Sequence, residues 1–418
     1  MKKQLILTVI LSFIVLSNFA QQFDLSAEIR PRYENKHGVK SLLTTDADGS
    51  NFISQRTRLN FGFKNEKLKA YVSFQNVRVW GDVGTLSSDD EATALHQAWA
   101  EAIMSKKVSL KLGRQEIVYD DHRIFGSVGW AQQARSHDAF LFKYTPNEKS
   151  RLDIGLALNA DSQSGIDNLY SDAAGYKSFQ YAWYHGDFNK FGLSFLLLNT
   201  GIEYLDTDNE QTVDYVQTIG PRLTYKHGKF NANGAFYFQT GKSEASDVNA
   251  LYYSANLGYK ISDAFSAGLG YEYLSGKDQN DTDAEIKSFA PLFGTNHKFN
   301  GWMDYFYVGN HAESVGLTDI SATLSYKKDK FSAKLIPHIF SAAADIYDGS
   351  EKMDNNLGTE IDLVFGYKIA SDIMLNAGYS KMFATDSMEA LKGGDKDENN
   401  SWAWLMFTFK PKLFSSVK

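Results

Sequence analysis

The chain has no cysteine and only 6 prolines in 418 residues, and past residue 20 no apolar run approaches the length of a membrane-spanning helix. Each absence excludes something. Without thiols, an exported protein cannot rely on disulfides, so its stability must come from elsewhere; a closed, hydrogen-bonded sheet can supply it. Without about 18 consecutive apolar residues, a helical inner-membrane protein is out. The 9 histidines form no paired metal-ligand spacing and have no cysteine partners, so neither metal nor other cofactor is expected. No Gly-x-Ser-x-Gly elbow and no nucleotide loop is present, which argues against an enzyme and against an energy-coupled pump. The net charge of -7 argues against general nucleic-acid binding.

What is present begins at the N-terminus. Lys2 and Lys3 precede an apolar stretch from Leu5 to Leu16, and small and polar residues lead to Ala20 before Gln21. This is the layout of a secretory signal peptide, so residues 1–20 are expected to be removed and 21–418 to form one domain. No cysteine follows the cut, which excludes a lipoprotein anchor.

Aromatic residues make up 14% of the chain, with 29 Phe and 23 Tyr, against a polar average composition. They recur in segments of about ten residues with period-2 patterning. In the first, Phe23, Leu25, Ala27, Ile29 and Tyr33 share one face, while Asp24, Glu28, Arg30, Arg32 and Glu34 share the other. The pattern predicts strands near 23–34, 52–63, 68–79, 95–104, 107–118, 130–144, 151–160, 177–186, 190–200, 213–226, 229–241, 249–261, 265–275, 317–327, 330–341, 356–368, 372–383 and 401–410. Connections alternate strictly between short turns and longer loops, the longest being 276–316. The short ones are lysine-rich (Lys64, Lys67, Lys106, Lys107, Lys226, Lys229, Lys327, Lys328, Lys330). The long ones are acidic (Asp82, Asp89, Asp90, Glu91, Asp206, Asp208, Asp278, Asp281). The fold class is therefore all-β: a transmembrane antiparallel barrel of about 18 strands (16 being the neighbouring even count), with periplasmic turns and extracellular loops, in the bacterial outer membrane. Pro31, Pro221 and Pro337 fall inside strands, where bulges or strand ends are expected. The tail from Pro411 is read as lying past the last strand.

In such a barrel, function sits on the lumen face and in loops that fold inward. Arg30, Arg32, Arg56 and Arg58 fall on the inward faces of the first two strands. Arg78, Arg114, Arg123 and Arg135 lie near the loop ends of the next strands, and Arg222 follows later. Guanidinium groups stay charged and grip carboxylates through two parallel bonds, so a path lined by them favours anions. The alternative is that they pair with inward Glu28, Glu34, Glu101, Asp214, Glu272, Glu360 and Asp362. Loop 276–316 is too aromatic for free water; His297, Lys298, Trp302 and Asp304 offer stacking and polar contacts to a sugar, or form a cap on the rim.

Two blocks resemble a known family. Leu112-Gly113-Arg114-Gln115-Glu116 followed by Asp121, Arg123, Gly126, Trp130, Arg135 and Asp138 is one; Pro291-Leu292-Phe293-Gly294 with His297, Gly301 and Asp304 is the other. Together they resemble the alginate-export family of outer-membrane porins. The resemblance implies a monomeric 18-stranded barrel that passes an anionic polyuronate outward through an arginine-rich constriction, with Arg114, Arg123 and Arg135 forming or bracing it. The expectation is a passive channel for an anionic saccharide or similar organic anion. The alternatives are a weakly selective general or nutrient porin and a closed barrel that binds partners through its loops. Partners are outer-membrane lipid, the solute and, in one version, a periplasmic protein.

Overall fold

The computed structural model describes residues 21–87, 92–163, 165, 169–170 and 175–416; residues 1–20, read as the signal peptide, and Asp89, Asp90 and Glu91 lie outside them. The wall is built from β1 (Gln22–His37), β2 (Ser50–Lys64), β3 (Leu68–Val79), β4 (Thr93–Ile103), β5 (Val108–Gln115), β6 (His137–Asn147), β7 (Ser150–Leu158), β8 (Ser178–Phe188) and β9 (Phe191–Leu205). It continues through β10 (Gln211–His227), β11 (Phe230–Ser243), β12 (Ser246–Lys260), β13 (Phe265–Leu274), β14 (Leu317–Lys328) and β15 (Phe331–Ser341). A loop hairpin, β16 (Tyr347–Asp348) and β17 (Glu351–Lys352), precedes β18 (Asn356–Ala370), β19 (Ile373–Ala384), β20 (Ser401–Phe409) and β21 (Lys412–Ser415). Sequential neighbours pair antiparallel, and β1 pairs with β2 on one side and with β20 and β21 on the other, closing an 18-stranded barrel without an edge.

The amphipathic pattern is inside out. On β1, Arg30 and Glu34 are 7% and 2% exposed while Ile29 and Tyr33 on the alternate parity are both 42% exposed. The same holds at Leu269, Phe236, Phe365 and Phe383, all exposed on the outer face. An apolar outer belt over a polar interior is what hydrocarbon outside and water inside require.

All the expected strands are present, with differences that have local causes. The last strand continues past Pro411: Lys412–Ser415 still pairs with Asp24–Ser26, with one register shift. Pro31, Pro221 and Pro337 do not bulge the sheet. Each stays in register with one neighbour, and on the other side the ladder lapses for the proline and one adjacent residue before resuming unshifted. The missing N–H removes bonds on one side only, and the closed wall holds the register. The connection of β11 to β12 is a tight turn at Glu244 and Ala245, both with positive φ, because this mirror-image turn matches strand twist. The largest difference lies before β6, which starts at His137; the segment from 116 to 136 is a loop that leaves the wall.

Two arginines stand outward by register yet still border cavities at the extracellular mouth, Arg78 beside Arg32 and Trp130, and Arg114 beside Arg135 and His137. Arg78 stands opposite Gln55, on the parity of exposed Phe74. Arg114 shares the parity of exposed Leu112 and faces Asp138 across the β5–β6 pair; the two form an exposed ion pair of 2.8 Å at the extracellular rim. Period 2 sets both registers: a residue one step from an inward neighbour, here Val77 opposite Arg56 or buried Gln115, starts from the other face.

Candidate functional site

Two loops fold into the upper lumen, one spanning 116–136 and the other 275–316, and the two sequence blocks meet there. Gly126 N–H donates to the Phe293 carbonyl (2.9 Å), Thr295 N–H to the His122 carbonyl (2.8 Å), and Val128 N–H to Thr295 Oγ1 (3.0 Å). This approach requires glycine: a Cβ on Gly126 would stand 2.2 Å from Thr295 Oγ1, and one on Gly294 would stand 2.3 Å from the Arg123 carbonyl oxygen. Trp130 stacks on His297 at 5.0 Å, and His297 pairs through Nδ1 with Asp304 at 2.8 Å. Arg135 donates to the Gly294 carbonyl (3.1 Å), and Lys298 to the Asp121 carbonyl (2.7 Å). Burial lowers the proton affinity of both cations.

Arg123 joins this wedge to the wall. It is 2% exposed, lies 3.1 Å from Glu272 of β13, and donates to Asn296 and Asn300 of the second loop (3.2 and 2.9 Å). Arg222 of β10 holds Asp121 (3.1 Å) and Asn233 (3.0 Å). The β13–β18 wall offers acceptors. Glu360 takes the Met303 N–H (2.9 Å), Asp362 takes the Trp302 N–H (3.2 Å), and Glu272 with Asp319 takes Asn300. His338 sits between Asp319 (2.9 Å) and Asp362 (3.7 Å).

The opposite wall offers donors. Arg30 donates to the Gly129, Trp130 and Ala131 carbonyls and to Gln132 Oε1. Arg32 donates to the Trp130 carbonyl (2.7 Å) and to Glu34, with its guanidinium 4.2 Å above the Trp130 ring. Arg56 pairs with Glu28 and reaches the carbonyls of Gly129, Ala131 and Gln132. These three face inward as the pattern implies, but the loop backbone covers them.

Below the wedge, cations stand without a carboxylate partner among the described residues. Arg58 uses Nε on Gln75 (2.9 Å), and its buried Nη2 has no partner. Lys111 lies 4.0 Å over the Trp99 ring, which stacks on Tyr71. Lys334 is exposed on the lumen parity of β15. Carboxylates nearby are engaged instead: Glu101 by Lys143 and Lys69, Asp153 by Arg151, and Glu116 by His96. Above the wedge, a vestibule of about 520 Å³ is lined by Arg135, His137, Tyr176 and Tyr307, and a lobe of about 450 Å³ by Arg32, Lys36, Trp130, Trp302 and Trp402; Gln133 borders both. Sequence reading missed Lys111 and Lys334. Their parity with buried Gln115 and His338 was the available signal, obscured by the attention that arginines attract.

The model of the alginate export family matches residues 21–403. The chain belongs to that family. No curated protein matches it. Solved structures share the fold at low identity: OccD3 (OpdP) of Pseudomonas aeruginosa at 12% identity, TM-score 0.65, covering 94% of this chain and 92% of the other; a BenF-like porin from Pseudomonas fluorescens Pf-5 at 14%, TM-score 0.62, covering 94% and 99%; and OpdK of Pseudomonas aeruginosa, solved with vanillate, at 12%, TM-score 0.61, covering 95% and 100%. This alginate export family member is an outer-membrane porin barrel of the bacterial envelope.

Proposed function

We propose that this barrel passively conducts small organic anions, short acidic saccharides among them, past the wedge and along the cationic wall beneath it. One observation carries the reading: Arg58, Lys111 and Lys334 face the lumen with no carboxylate holding them among the described residues, while the lumen carboxylates near them are engaged by cations. A pore lined by uncompensated positive charge concentrates anions. The solute enters at the vestibule, where the Arg135 side chain makes one hydrogen bond among the described residues and keeps donors to offer. The size of the vestibule and the interlocked loops favour a small solute over a polyuronate strand, which would have to displace the wedge. OpdK, a neighbour in fold, was solved with vanillate, a compact carboxylate. The barrel acts as a monomer in this reading and performs no chemical step.

The wedge itself favours a second reading, a closed barrel that works through its loops. Ion current through the refolded mature chain in a planar bilayer separates the two. Current that galacturonate reduces at lower concentration than neutral galactose supports the channel. Silence, or equal effects of both sugars, contradicts it.

A further inference from the structure

The sorting of charge between the two ends of the barrel is not used by the channel. At the periplasmic end each short turn carries a lysine within it or within three residues of it. Lys64, Lys106, Lys149, Lys226, Lys328 and Lys368 are exposed, and among the described residues none of them stands within ion-pair distance of an acid. The chain as a whole is acidic, so the ring is not a by-product of composition.

The lysines sit beside lipid-facing rings. Lys190, Lys229 and Lys330, each in a turn and so free of strand alternation, directly precede exposed Phe191, Phe230 and Phe331. Several lie along the rim and not toward the pore. Lys229 Nζ reaches the Ile261 carbonyl of the neighbouring turn and Lys330 Nζ the Ile369 carbonyl near the end of β18 (both 3.4 Å), and both isoleucines are exposed. Aromatic rings mark the interface between hydrocarbon and headgroups. An ammonium one residue beyond them stands at phosphate level, on a stem that lies along apolar surface.

We infer that this ring binds anionic phospholipid headgroups of the periplasmic leaflet, anchoring the barrel at a set depth. The contacts are electrostatic, and a fully formed one shifts lipid exchange by about fivefold. The test uses the mature barrel in phosphatidylcholine vesicles containing a minor fraction of spin-labelled phosphatidylglycerol or spin-labelled phosphatidylcholine. The wild type should hold more of the immobilised glycerol lipid, and high salt should erase the difference. Combined Lys190→Gln, Lys229→Gln and Lys330→Gln should lower that preference severalfold while strand content and conductance stay unchanged. An undiminished preference in the variant, or one that survives high salt, overturns the inference. So does a variant that alters current rectification and leaves lipid preference intact, since the lysines would then serve the pore mouth.

Discussion

The two walls of the lumen hold the same pair of loops by opposite chemistry. On β1 and β2, guanidinium groups donate to the carbonyls of residues 129–132. On β13 to β18, carboxylates accept N–H groups of residues 300–303 and the Arg123 guanidinium. A backbone segment buried against a wall must satisfy both its donors and its acceptors, and the walls divide the task. The lesson concerns the arginines. An inward guanidinium in a barrel is as readily a clamp for a loop as a guide for a solute, and only its partners tell which.

The largest effect is expected on the acidic side. Arg123→Ala leaves Glu272 buried without its cation and frees Asn296 and Asn300, at a cost of about 3–5 kcal/mol. The wedge should loosen, with lower thermal stability and a larger, noisier single-channel conductance; unchanged conductance would show that Arg123 does not hold the loops. On the basic side, Arg30→Met with Arg32→Met strands the Trp130 carbonyl, at about 1–3 kcal/mol for a group left unpaired, and leaves those of Gly129 and Ala131 with the long Arg56 contacts as their remaining guanidinium bonds. Current should flicker while the mean conductance changes less than for Arg123→Ala. Arg58→Ser with Lys111→Ser removes no direct loop contact, although Arg58 orients Gln75, which donates to the Gln133 carbonyl (3.0 Å). Galacturonate uptake into proteoliposomes should fall severalfold with a smaller loss of thermal stability than for Arg30→Met with Arg32→Met, and equal uptake would remove these residues from the path.

The smallest effect sharpens the picture at the rim. Lys392, on the helix Asp386–Lys392, donates to the Asn310 carbonyl (2.8 Å) above the Phe306 ring, and burial lowers its pKa to about 8. The undocked lysine binds its proton more tightly, so docking strengthens as pH rises from about 8 toward the ordinary lysine value near 10.4. Gating frequency should fall over that range, and Lys392→Met should flatten the dependence; a wild type with no change across the range would contradict the assignment.

Much of this was legible in the sequence, and the limits have physical reasons. Strand positions follow from period 2 because lipid and water enforce it on every turn of the wall. The loop before β6 was not legible: residues 130–136 carry Trp130 and alternate well enough to pass for strand, and nothing local signals that the chain leaves the wall. The two recurring blocks were visible as motifs. Their contact was not, since Gly126 against Thr295 and Gly294 against Arg123 is a meeting across more than 160 positions of sequence. Arg78 and Arg114 lie one residue of parity off the inward face, which in a sheet reverses the face, and border the cavities at the mouth.

The reversal potential under a salt gradient tests the central claim most directly, measured for the wild type, for Arg30→Met with Arg32→Met, and for Arg58→Ser with Lys111→Ser. The account predicts an anion preference that the first pair keeps and the second pair largely loses. The opposite outcome, selectivity lost with the clamps and kept without Arg58 and Lys111, would contradict it.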